Sequence, residues 1–419
     1  MLHKLLFLCC FLLCYSCNNT DSQYTNVQDQ SKITDSVSLS INYAHLNHLY
    51  KEVLLPNGKE AAIIHIYSNY PDYSYDIEPK EGYTCVDDVA RAIILLSADK
   101  TQEARVVKLT EFLLYMQNEN GWFNNFIRKD LSINTTYKTS VAQPDWWSWR
   151  ALWALEKALP LIKNKHTDLE QRVVVAINTL VEKTKQYLSE LRQMEKQVEG
   201  ISIATNLPYE SATDQGSILL IGLYNHYQRA ADSELKKPIR QLADGILQMQ
   251  IKEGEMKGLF LSWENLWHAY GNTQSYALLL VGKLLEDNRY TDAALLEINF
   301  FYPFLYKIGF PEIINLKSNN DKIEILDKKA FPQIAYGVRP IIYACVEAYK
   351  QTGDTKYRAY ATQWISWFSG NNIASKVMYD AKIGRGYDGI RSAVEINKNS
   401  GAESTIEALL SIQAYNLIN

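Results

Sequence analysis

Apolar residues recur along this chain at the spacing of one face of an α-helix, in runs that are separated by polar stretches. Each run follows a short segment in which carboxylates and aromatic residues are mixed. The six runs are residues 90–96, 151–159, 218–224, 276–280, 341–349 and 406–410. Their starts lie roughly 50 to 70 residues apart, so the pattern predicts a repeated supersecondary unit with a core-facing helix in each repeat.

A second set of helical runs alternates with the first, and its members carry more Lys, Arg, Glu and Gln. Such a composition is typical of helices with one solvated face. These runs are residues 103–117, 169–191, 234–250, 292–304 and 356–368. An apolar helix followed by an amphipathic one, repeated about six times, predicts an all-α protein, an (α/α)6 toroid of helical hairpins with the apolar helices inside.

The two ends of the body indicate how the ring closes. A helical segment at residues 43–54 and the last apolar helix, which begins near Ser400, each lack a partner, so we expect them to pack together. In a closed ring the inner helices run in the same direction, and their N-terminal ends converge on one face. The long loops at 122–143, 307–331 and 370–399 are expected to reach the same face. The acids near these helix starts are Asp87, Asp88, Asp145, Glu210, Asp214, Glu264 and Glu403.

Two adjacent carboxylates, Asp87 and Asp88, open the first apolar run, and Thr84 precedes Asp87 by three residues as in a capping box. The first turn of a helix stabilises negative charge through its unpaired N–H groups and the helix dipole. In the simplest interpretation Asp87, Asp214 and Glu403 are caps that fold back on their own helices. The alternative is that the acids serve a reaction, and their repetition at successive helix starts favours it.

Aromatic residues collect at the same helix starts. The chain has 28 Tyr and 9 Trp, and Tyr83, Trp146, Trp147 and Trp263 lie beside the acids. The apolar face of a pyranose stacks on an aromatic ring, while its hydroxyls bond to Asp, Glu and Asn side chains. The combination is typical of a sugar site; the alternative is that the rings fill a wide helical core.

The first residues indicate export. Residues 1–17 combine a short basic start with an apolar run of secretory-signal length, and they end at Cys17 in a segment that resembles a bacterial lipoprotein cleavage site. Residues 18–39 are polar and predict a disordered tether, and residues 40–419 are expected to form the toroid domain. We therefore expect a protein that is lipid-anchored to the periplasmic or outer-surface face of a bacterial membrane. The alternative is an ordinary cleaved signal.

Several other classes of function have no support in the sequence. Cys85 and Cys345, the cysteines of the body, lie in apolar helical runs and predict buried thiols. The body has no CxxC or HExxH motif, so neither a metal nor another cofactor is expected. A net charge of −4 and the lack of a basic patch argue against a nucleic-acid partner. We expect a monomer.

Several motifs make residues 45–419 resemble a known family. They are GYTCVDDVARA at 82–92, RALWAL at 150–155, WFSGNN at 367–372, YDG at 387–389 and GAEST at 401–405. With these motifs the chain resembles the six-hairpin, (α/α)6-toroid glycosidase-like proteins, and more narrowly the bacterial toroid domain found alone or fused to glycosyltransferases. Val89 replaces an Asn of that pattern, and SWEN at 262–265 replaces a Y-D-N-like segment. The resemblance implies a carbohydrate-active toroid and leaves the sugar open.

The leading hypothesis is a glycoside hydrolase, because cleavage of a glycosidic bond needs one carboxylic acid and one carboxylate. Neighbouring helical residues point about 100° apart, so we expect Asp88 alone to face the centre, with Arg91 as its partner. The catalytic candidates are Asp87, Asp88, Glu210, Asp214 and Glu264. The candidate substrate-binding residues are Tyr83, Asp145, Trp146, Trp147, Trp263, Asn265, Asp388 and Glu403. Toroid glycosidases are commonly inverting, so the resemblance also implies a water-sized gap between two carboxylates.

Two other functions stay open at this point. A lyase or epimerase acting on uronic polymers would need a Tyr or His base and positive groups, for which His268, Arg91, Arg150 and Arg339 could serve. The acid-rich mouth argues against such a polyanion. A glycan-binding lipoprotein would keep the aromatic residues and need no catalytic pair. In each case the expected partners are an oligo- or polysaccharide and, through the N-terminal lipid, a membrane.

Overall fold

The computed structural model describes residues 39–320 and 322–419. The predicted signal, the lipidated Cys17 and the tether up to residue 38 lie outside these residues and stay predictions. Within the described ranges, none of the helices is both long and apolar enough to cross a membrane.

Helices dominate the described residues. In chain order the α-helices are α1 (Ala44–Leu49), α2 (Val86–Leu96), α3 (Glu103–Met116), α4 (Trp146–Ile162), α5 (Thr167–Glu190), α6 (Thr213–Ala230), α7 (Lys236–Gln248), α8 (Gln274–Leu285), α9 (Asn288–Leu296), α10 (Tyr302–Lys307), α11 (Ala335–Thr352), α12 (Thr355–Ile365) and α13 (Ala402–Tyr415). A π-helical turn, Glu297–Phe301, joins α9 to α10. The alternation of apolar and amphipathic runs in the sequence therefore corresponds to real helices.

The inner layer is a closed ring. Helices α2, α4, α6, α8, α11 and α13 contact one another in that order, and α13 contacts α2. The amphipathic helices α3, α5, α7, α9 and α12 pack against the outside of this ring. The predicted all-α toroid with the more apolar helices inside is confirmed.

The first and last helices meet as expected, since α1 packs against α13. The prediction of one helix over residues 43–54 was wrong in its second half, because Tyr50–Leu54 forms strand β1 and pairs antiparallel with β2 (Glu60–Ile64). Pro56 and Gly58 lie between them in the turn, where Gly58 adopts a φ of +79°. The helix has already ended at Leu49, and the turn reverses the chain so that β2 pairs with β1.

The other strands are short and lie in loops between helices. They are β3 (Tyr67–Asn69), β4 (Ser74–Asp76), β5 (Thr84–Cys85), β6 (Phe126–Ile127), β7 (Gln197–Val198), β8 (Ile201–Ser202), β9 (Leu266–His268), β10 (Ile313–Asn319), β11 (Lys322–Lys329), β12 (Tyr379–Asp380), β13 (Arg385–Gly386), β14 (Gly389–Ile390) and β15 (Ile396–Asn397). The largest of the sheets has the antiparallel order β11–β10–β9. The predicted loop at 307–331 is thus mostly a β-hairpin.

One inner helix begins later than the sequence pattern indicated. Helix α8 starts at Gln274, whereas Trp263 and Glu264 precede β9 in a loop. Strand β9 pairs with β10, with His268 opposite Ile313, and this pairing holds the segment between 262 and α8 in an extended conformation. His268 is thereby brought to the N-terminal end of α6.

The core lies between the two helical layers. Helices α4 and α6 approach closely at Gly222, where any Cβ would come within 3.0 Å of the Leu152 side chain. Cys85 and Cys345 are both buried and unpaired, which confirms their prediction as buried thiols.

Candidate active site

Three arginines from three inner helices meet on the axis of the ring, about one turn below the helix starts. Arg91 of α2, Arg150 of α4 and Arg339 of α11 place their guanidinium carbons 4.7, 5.5 and 5.7 Å from the centroid of the Tyr336 ring. Arg150 Nη2 donates to the Tyr336 hydroxyl at 2.6 Å. Because α4 and α11 stand opposite each other in the ring, this hydrogen bond crosses the centre of the ring.

One guanidinium group holds three carboxylates. Arg91 Nη1 contacts Asp88 Oδ1 at 2.8 Å, Nη2 contacts Glu403 Oε2 at 2.7 Å, and Nε contacts Glu407 Oε1 at 2.9 Å. Glu407 is fully buried and pairs on its other oxygen with Arg339. The predicted pairing of Asp88 with Arg91 is confirmed, and Arg91 ties α2 to α13.

The adjacent Asp87 and Asp88 have different surroundings. Asp88 is 3% exposed, and its second oxygen accepts a hydrogen bond from Cys85 Sγ at 3.3 Å. Burial raises the pKa of Asp88, and the charge of Arg91 opposes that rise. Asp87 forms an ion pair with Arg150 across to α4, and 18% of its side chain is exposed. Asp88 therefore holds Arg91 in place, and Asp87, not Asp88 as we predicted, is the more accessible of the two carboxylates.

The capping interpretation was wrong for Asp87 and Glu403, whereas Asp214 does bond to its own helix, since its Oδ1 accepts from the Gln215 N–H at 2.6 Å. Helix α2 is capped by Cys85, whose Sγ accepts from the Asp88 N–H at 3.4 Å, and neither α6 nor α13 has a side-chain cap at its N-cap residue. All three acids also contact side chains of other elements: Asp87 contacts Arg150, Asp214 contacts His268 and Glu403 contacts Arg91.

Glu403 contacts Arg91 and is also reached by solvent. Its side chain is 40% exposed although it stands in the first turn of an inner helix. Burial raises its pKa to about 7, with Arg91 lowering it and the charges of Asp88 and Glu407 raising it. A carboxyl group that solvent can reach and that is about half protonated at neutral pH can donate a proton to a bound molecule.

Asp145 is a second carboxyl group with a raised pKa. It caps α4 by accepting from the Trp146 N–H at 2.7 Å, and it also accepts from the Tyr209 hydroxyl at 2.5 Å and Gln143 Nε2 at 3.0 Å. Burial raises its pKa to about 6, and these hydrogen bonds oppose the rise. Both oxygens of Asp145 are hydrogen-bonded within the protein, so its role is to hold the start of α4 and the Tyr209 loop together.

The predicted acids Glu210 and Glu264 lie at the rim. The Glu210 side chain is 55% exposed and pairs with Lys196, whose Nζ is 3.7 Å from Glu264 Oε1. Neither acid pairs with the axial arginines. Tyr209, Glu210 and Glu264 have φ values of +47°, +67° and +47°. Left-handed backbone at non-glycine residues is costly, so the surrounding contacts hold these rim loops in one conformation.

A buried histidine, His268, contacts the N-terminal end of α6. His268 Nε2 is 2.8 Å from Asp214 Oδ2, and its ring stacks on Tyr270 with centroids 3.9 Å apart. Nδ1 of this buried imidazole has no hydrogen-bond partner among the described residues. Asp214 thus orients a histidine at the start of α6, and α6 stands opposite α13.

Of the four aromatic residues predicted at the site, two are buried and two are partly exposed. Tyr83 and Trp147, which we predicted on the cavity wall, are 5% and 3% exposed, and Trp147 Nε1 donates to the Phe123 carbonyl at 2.6 Å. That wall prediction was wrong because both side chains are buried in the hydrophobic core. Trp146 is partly exposed and lies beside Arg150, with their ring centroid and guanidinium carbon 5.7 Å apart. Trp263 is also partly exposed.

Two predicted sugar ligands brace loops instead. Asn265 Nδ2 donates to the Leu316 carbonyl at 2.7 Å and so ties its loop to β10. Asp388 Oδ1 accepts from the Gly401 N–H at 2.8 Å and from Ser404 Oγ at 2.7 Å. Asp388 therefore satisfies the N-terminal end of α13 and fixes the turn that carries Glu403.

The sequence analysis named Arg150 and Arg339 only for the lyase alternative, and it did not name Tyr336 or Glu407 as site residues. The available signal was a charged residue inside an apolar helical run, because a buried charge needs a partner from another element. No three His, Cys, Asp or Glu side chains within residues 39–320 and 322–419 are arranged to hold a metal ion.

Comparisons with known proteins give the fold. No family model matches the chain, and no curated protein sequence matches it. A cellobiose 2-epimerase from Bacillus thermoamylovorans is 14% identical, with a TM-score of 0.57 over 84% of this chain and 92% of that chain. A sugar epimerase from a ruminal bacterium is 9% identical, with a TM-score of 0.60 over 93% and 98%.

A family 76 glycoside hydrolase from a bovine Bacteroides thetaiotaomicron strain is 10% identical, with a TM-score of 0.55 over 90% of this chain and 77% of that chain. At identities this low the structural similarity establishes the fold alone, and the reaction must be argued from the residues of the site. The chain has the (α/α)6-toroid fold of the six-hairpin glycosidase-like proteins.

Proposed function

We propose that this protein is a carbohydrate-active enzyme, and specifically a glycoside hydrolase that uses Glu403 as its acid and Asp87 as its carboxylate. The observation that carries the proposal is Glu403, a solvent-accessible carboxyl group whose pKa is raised to about 7. Asp87 stands on the neighbouring inner helix, is partly exposed and pairs with Arg150. Glycoside hydrolysis needs such a pair of unlike carboxyl groups.

In the proposed reaction Glu403 donates its proton to the glycosidic oxygen as the bond to the anomeric carbon breaks. Asp87 accepts a proton from the water whose oxygen attacks that carbon. The leaving sugar thus gains the proton of Glu403, and the total number of protons on the enzyme is unchanged. Arg91 keeps Glu403 oriented, and Asp88 and Glu407 keep Arg91 oriented through its other nitrogens. Trp146 offers an aromatic face beside the acids on which a sugar ring can stack.

The proposal is tested by a screen for sugar release from plant, microbial and host glycans. On an active substrate, Glu403→Gln and Asp87→Asn should each lower turnover roughly 100-fold or more, as expected on losing a general acid or base. Glu210→Gln at the rim is the matched control and should keep the wild-type rate. If Glu403→Gln and Asp87→Asn both keep the wild-type rate, the assignment is wrong; if glycans bind and none is cut, the glycan-binding lipoprotein is the better hypothesis.

A second candidate is a sugar epimerase or isomerase, which the His268–Asp214 pair favours. An imidazole held by a carboxylate at Nε2, with Nδ1 unpartnered among the described residues, has the form of a base for a proton next to a carbonyl. Incubation with cellobiose or mannose in D₂O would then give deuterium at C2, and His268→Gln would abolish the exchange. Absence of deuterium uptake with the wild-type protein would remove this candidate, and uptake that persists in His268→Gln would remove His268 as its base.

We also propose that the chain is exported and anchored through a lipid on Cys17, on the strength of the apolar run and polar tether that flank this cysteine. Cys17→Ala should move the protein from the membrane fraction to the soluble fraction without changing its thermal melting. A variant that stays with the membranes would contradict the anchor.

A further inference from the structure

A pocket of about 310 Å³ lies between the loop that follows β3 and the hairpin of β14 and β15. Its lining combines one aromatic ring, one aliphatic side chain, two amides and two cations, which are those of Tyr70, Ile396, Asn397, Asn399, Arg391 and Lys398. The volume is at the lower end of the range for small-molecule sites, roughly 300 to 1,000 Å³. The pocket is therefore large enough for one sugar ring or a group of that size.

The pocket lies at the N-terminal end of α13, the helix that carries Glu403. The segment that lines it continues from Asn399 directly into α13, and the Ala402 N–H donates to the Ile66 carbonyl at 2.9 Å, which holds this segment beside the chain that leads into β3. Four residues of chain separate Asn399 from Glu403 and span at most about 14 Å. A ligand longer than one sugar unit can therefore reach both the pocket and the candidate acid.

Hydrogen-bond donors outnumber free acceptors in this pocket. Asn399 Oδ1 accepts from the Tyr70 N–H at 3.0 Å, and Asn397 Oδ1 accepts from the Asn399 N–H at 3.2 Å. The Nδ2 groups of these two amides have no hydrogen-bond partner among residues 39–320 and 322–419. The amide acceptors are thus engaged, while the amide donors and both cations remain available to a ligand.

The two cations of the pocket are only weakly engaged by the protein. Lys398 Nζ lies 5.3 Å from the centroid of the Tyr70 ring, and Lys398 forms no ion pair within the described ranges. Arg391 Nη1 is 3.7 Å from Glu395 Oε1, and these side chains are 55% and 61% exposed. An exposed pair at this separation contributes little to stability, so an anion can take the place of Glu395. Tyr70 is itself 52% exposed, so a ligand can also reach its ring.

This combination of donors, positive charge and an aromatic ring suits a sugar that carries a negative charge. The oxygens of a carboxylate or a sulfate group only accept hydrogen bonds, and an aromatic ring contacts the apolar face of a pyranose. We propose that the pocket binds an acidic sugar unit of the substrate, whose anionic group contacts Arg391 and Lys398 and accepts from the two amides.

This inference rests on the proposed function, since it names the class of glycan on which Glu403 would act. One acidic unit at the pocket is compatible with the acids of the mouth, because Asp87 and Asp88 are each paired with an arginine. Carboxylate and sulfate share the chemistry that the pocket recognises, so the experiment compares the two.

The test is calorimetric titration of the full chain with D-glucuronate, D-galacturonate, D-glucose 6-sulfate and neutral D-glucose. At least one acidic sugar should bind, and D-glucose should bind at least 10-fold more weakly. Arg391→Gln and Lys398→Gln should each weaken the acidic sugar roughly 10-fold or more, because each removes a charge-assisted hydrogen bond. Lys376→Gln is the matched control, since Lys376 is an exposed lysine of the same long loop outside the pocket, and it should leave binding unchanged.

Four results would overturn the proposal. One is the absence of binding by all three acidic sugars at about 50 mM, a concentration well above a millimolar Kd. The second is equal affinity for D-glucose, and the third is binding that Arg391→Gln and Lys398→Gln leave unchanged. The fourth is equally tight binding of acetate or inorganic sulfate, which would show that the pocket recognises an ion and not a sugar.

These titrations need no turnover, so they separate the pocket from the hydrolysis. Glu403→Gln should bind the acidic sugar as the wild-type protein does. If acidic sugars bind through Arg391 and Lys398 and no glycan is cut, the pocket stands and the proposed hydrolase is wrong. If a neutral glycan is cut in a reaction that needs Glu403 and no acidic sugar binds, the pocket proposal alone is wrong.

Discussion

Arg91 should be the most costly single cation to remove from this protein. It is buried, and its guanidinium contacts Asp88, Glu403 and Glu407 at 2.7–2.9 Å. Replacing it by Met keeps much of the volume and strands these carboxylates. Glu407 would still pair with Arg339, and Glu403 would be hydrated. The loss of folding free energy therefore comes mainly from Asp88, which would be a buried carboxylate without a cation. Removal of one partner from a buried ion pair costs about 3 to 5 kcal/mol.

A matched control is available at the surface. Arg172 also contacts two carboxylates, Glu111 and Asp168, but its side chain is 33% exposed. Exposed pairs contribute about 0 to 1 kcal/mol, so Arg172→Met should lower the free energy of unfolding only slightly. Arg91→Met and Arg172→Met remove the same groups from different environments, and their difference measures the effect of burial.

The assay is urea unfolding followed by circular dichroism at pH 7.5 and pH 5. We expect Arg91→Met to lose about 3 to 5 kcal/mol at pH 7.5. The loss should be smaller at pH 5, because a stranded carboxyl group has a raised pKa and becomes neutral as the pH falls through it. The account of the arginine layer is refuted if Arg91→Met and Arg172→Met lose the same free energy, or if the loss grows at pH 5.

Two further predictions concern other parts of the ring. Burial raises the pKa of Glu297 to about 7 from an ordinary 4.5, so the folded state binds the extra proton and stability should fall as the pH rises from about 5 to 8. Glu297→Gln should remove this fall, which is on the order of 3 kcal/mol; urea unfolding curves whose pH dependence stays the same in the variant would contradict it. Gly271 has a φ of +70°, and a Cβ there would lie 2.8 Å from the Trp146 ring, whereas Gly254, at +78°, has open space. Gly271→Ala should therefore cost about 1 to 3 kcal/mol more than Gly254→Ala in thermal melting, and equal losses would show that the ring can move aside.

The fold was predictable because the information is local. Helical apolar spacing, alternating with amphipathic runs, fixed the order of inner and outer helices and the closure of α1 on α13. The errors were local as well. Residues 50–54 pair with residues 60–64, and residues 313–319 pair with residues 322–329, which the helical spacing did not indicate. The aromatic segment at 262–265 was predicted to open α8, although β9 lies between them.

The candidate site was predictable only in part. The sequence located Asp87, Asp88 and Glu403 at helix starts, and the pairing of Asp88 with Arg91 follows from their spacing on one helix. The bond from Arg150 to Tyr336 joins residues 186 positions apart, so no local pattern contains it. The different surroundings of Asp87 and Asp88 likewise depend on which helices stand beside α2.

The central claim is that Glu403, a partly exposed carboxyl group with a pKa of about 7, is the proton donor, and the pH dependence of kcat/KM tests it most directly. On the glycan found by the screen, the rate should fall as the pH rises through about 7, because Glu403 loses the proton it must donate. Glu403→Gln should lower the rate roughly 100-fold, and its remaining activity should lack that fall. A wild-type rate that stays constant from pH 6 to pH 8, or a Glu403→Gln variant with the wild-type rate and profile, would contradict the account.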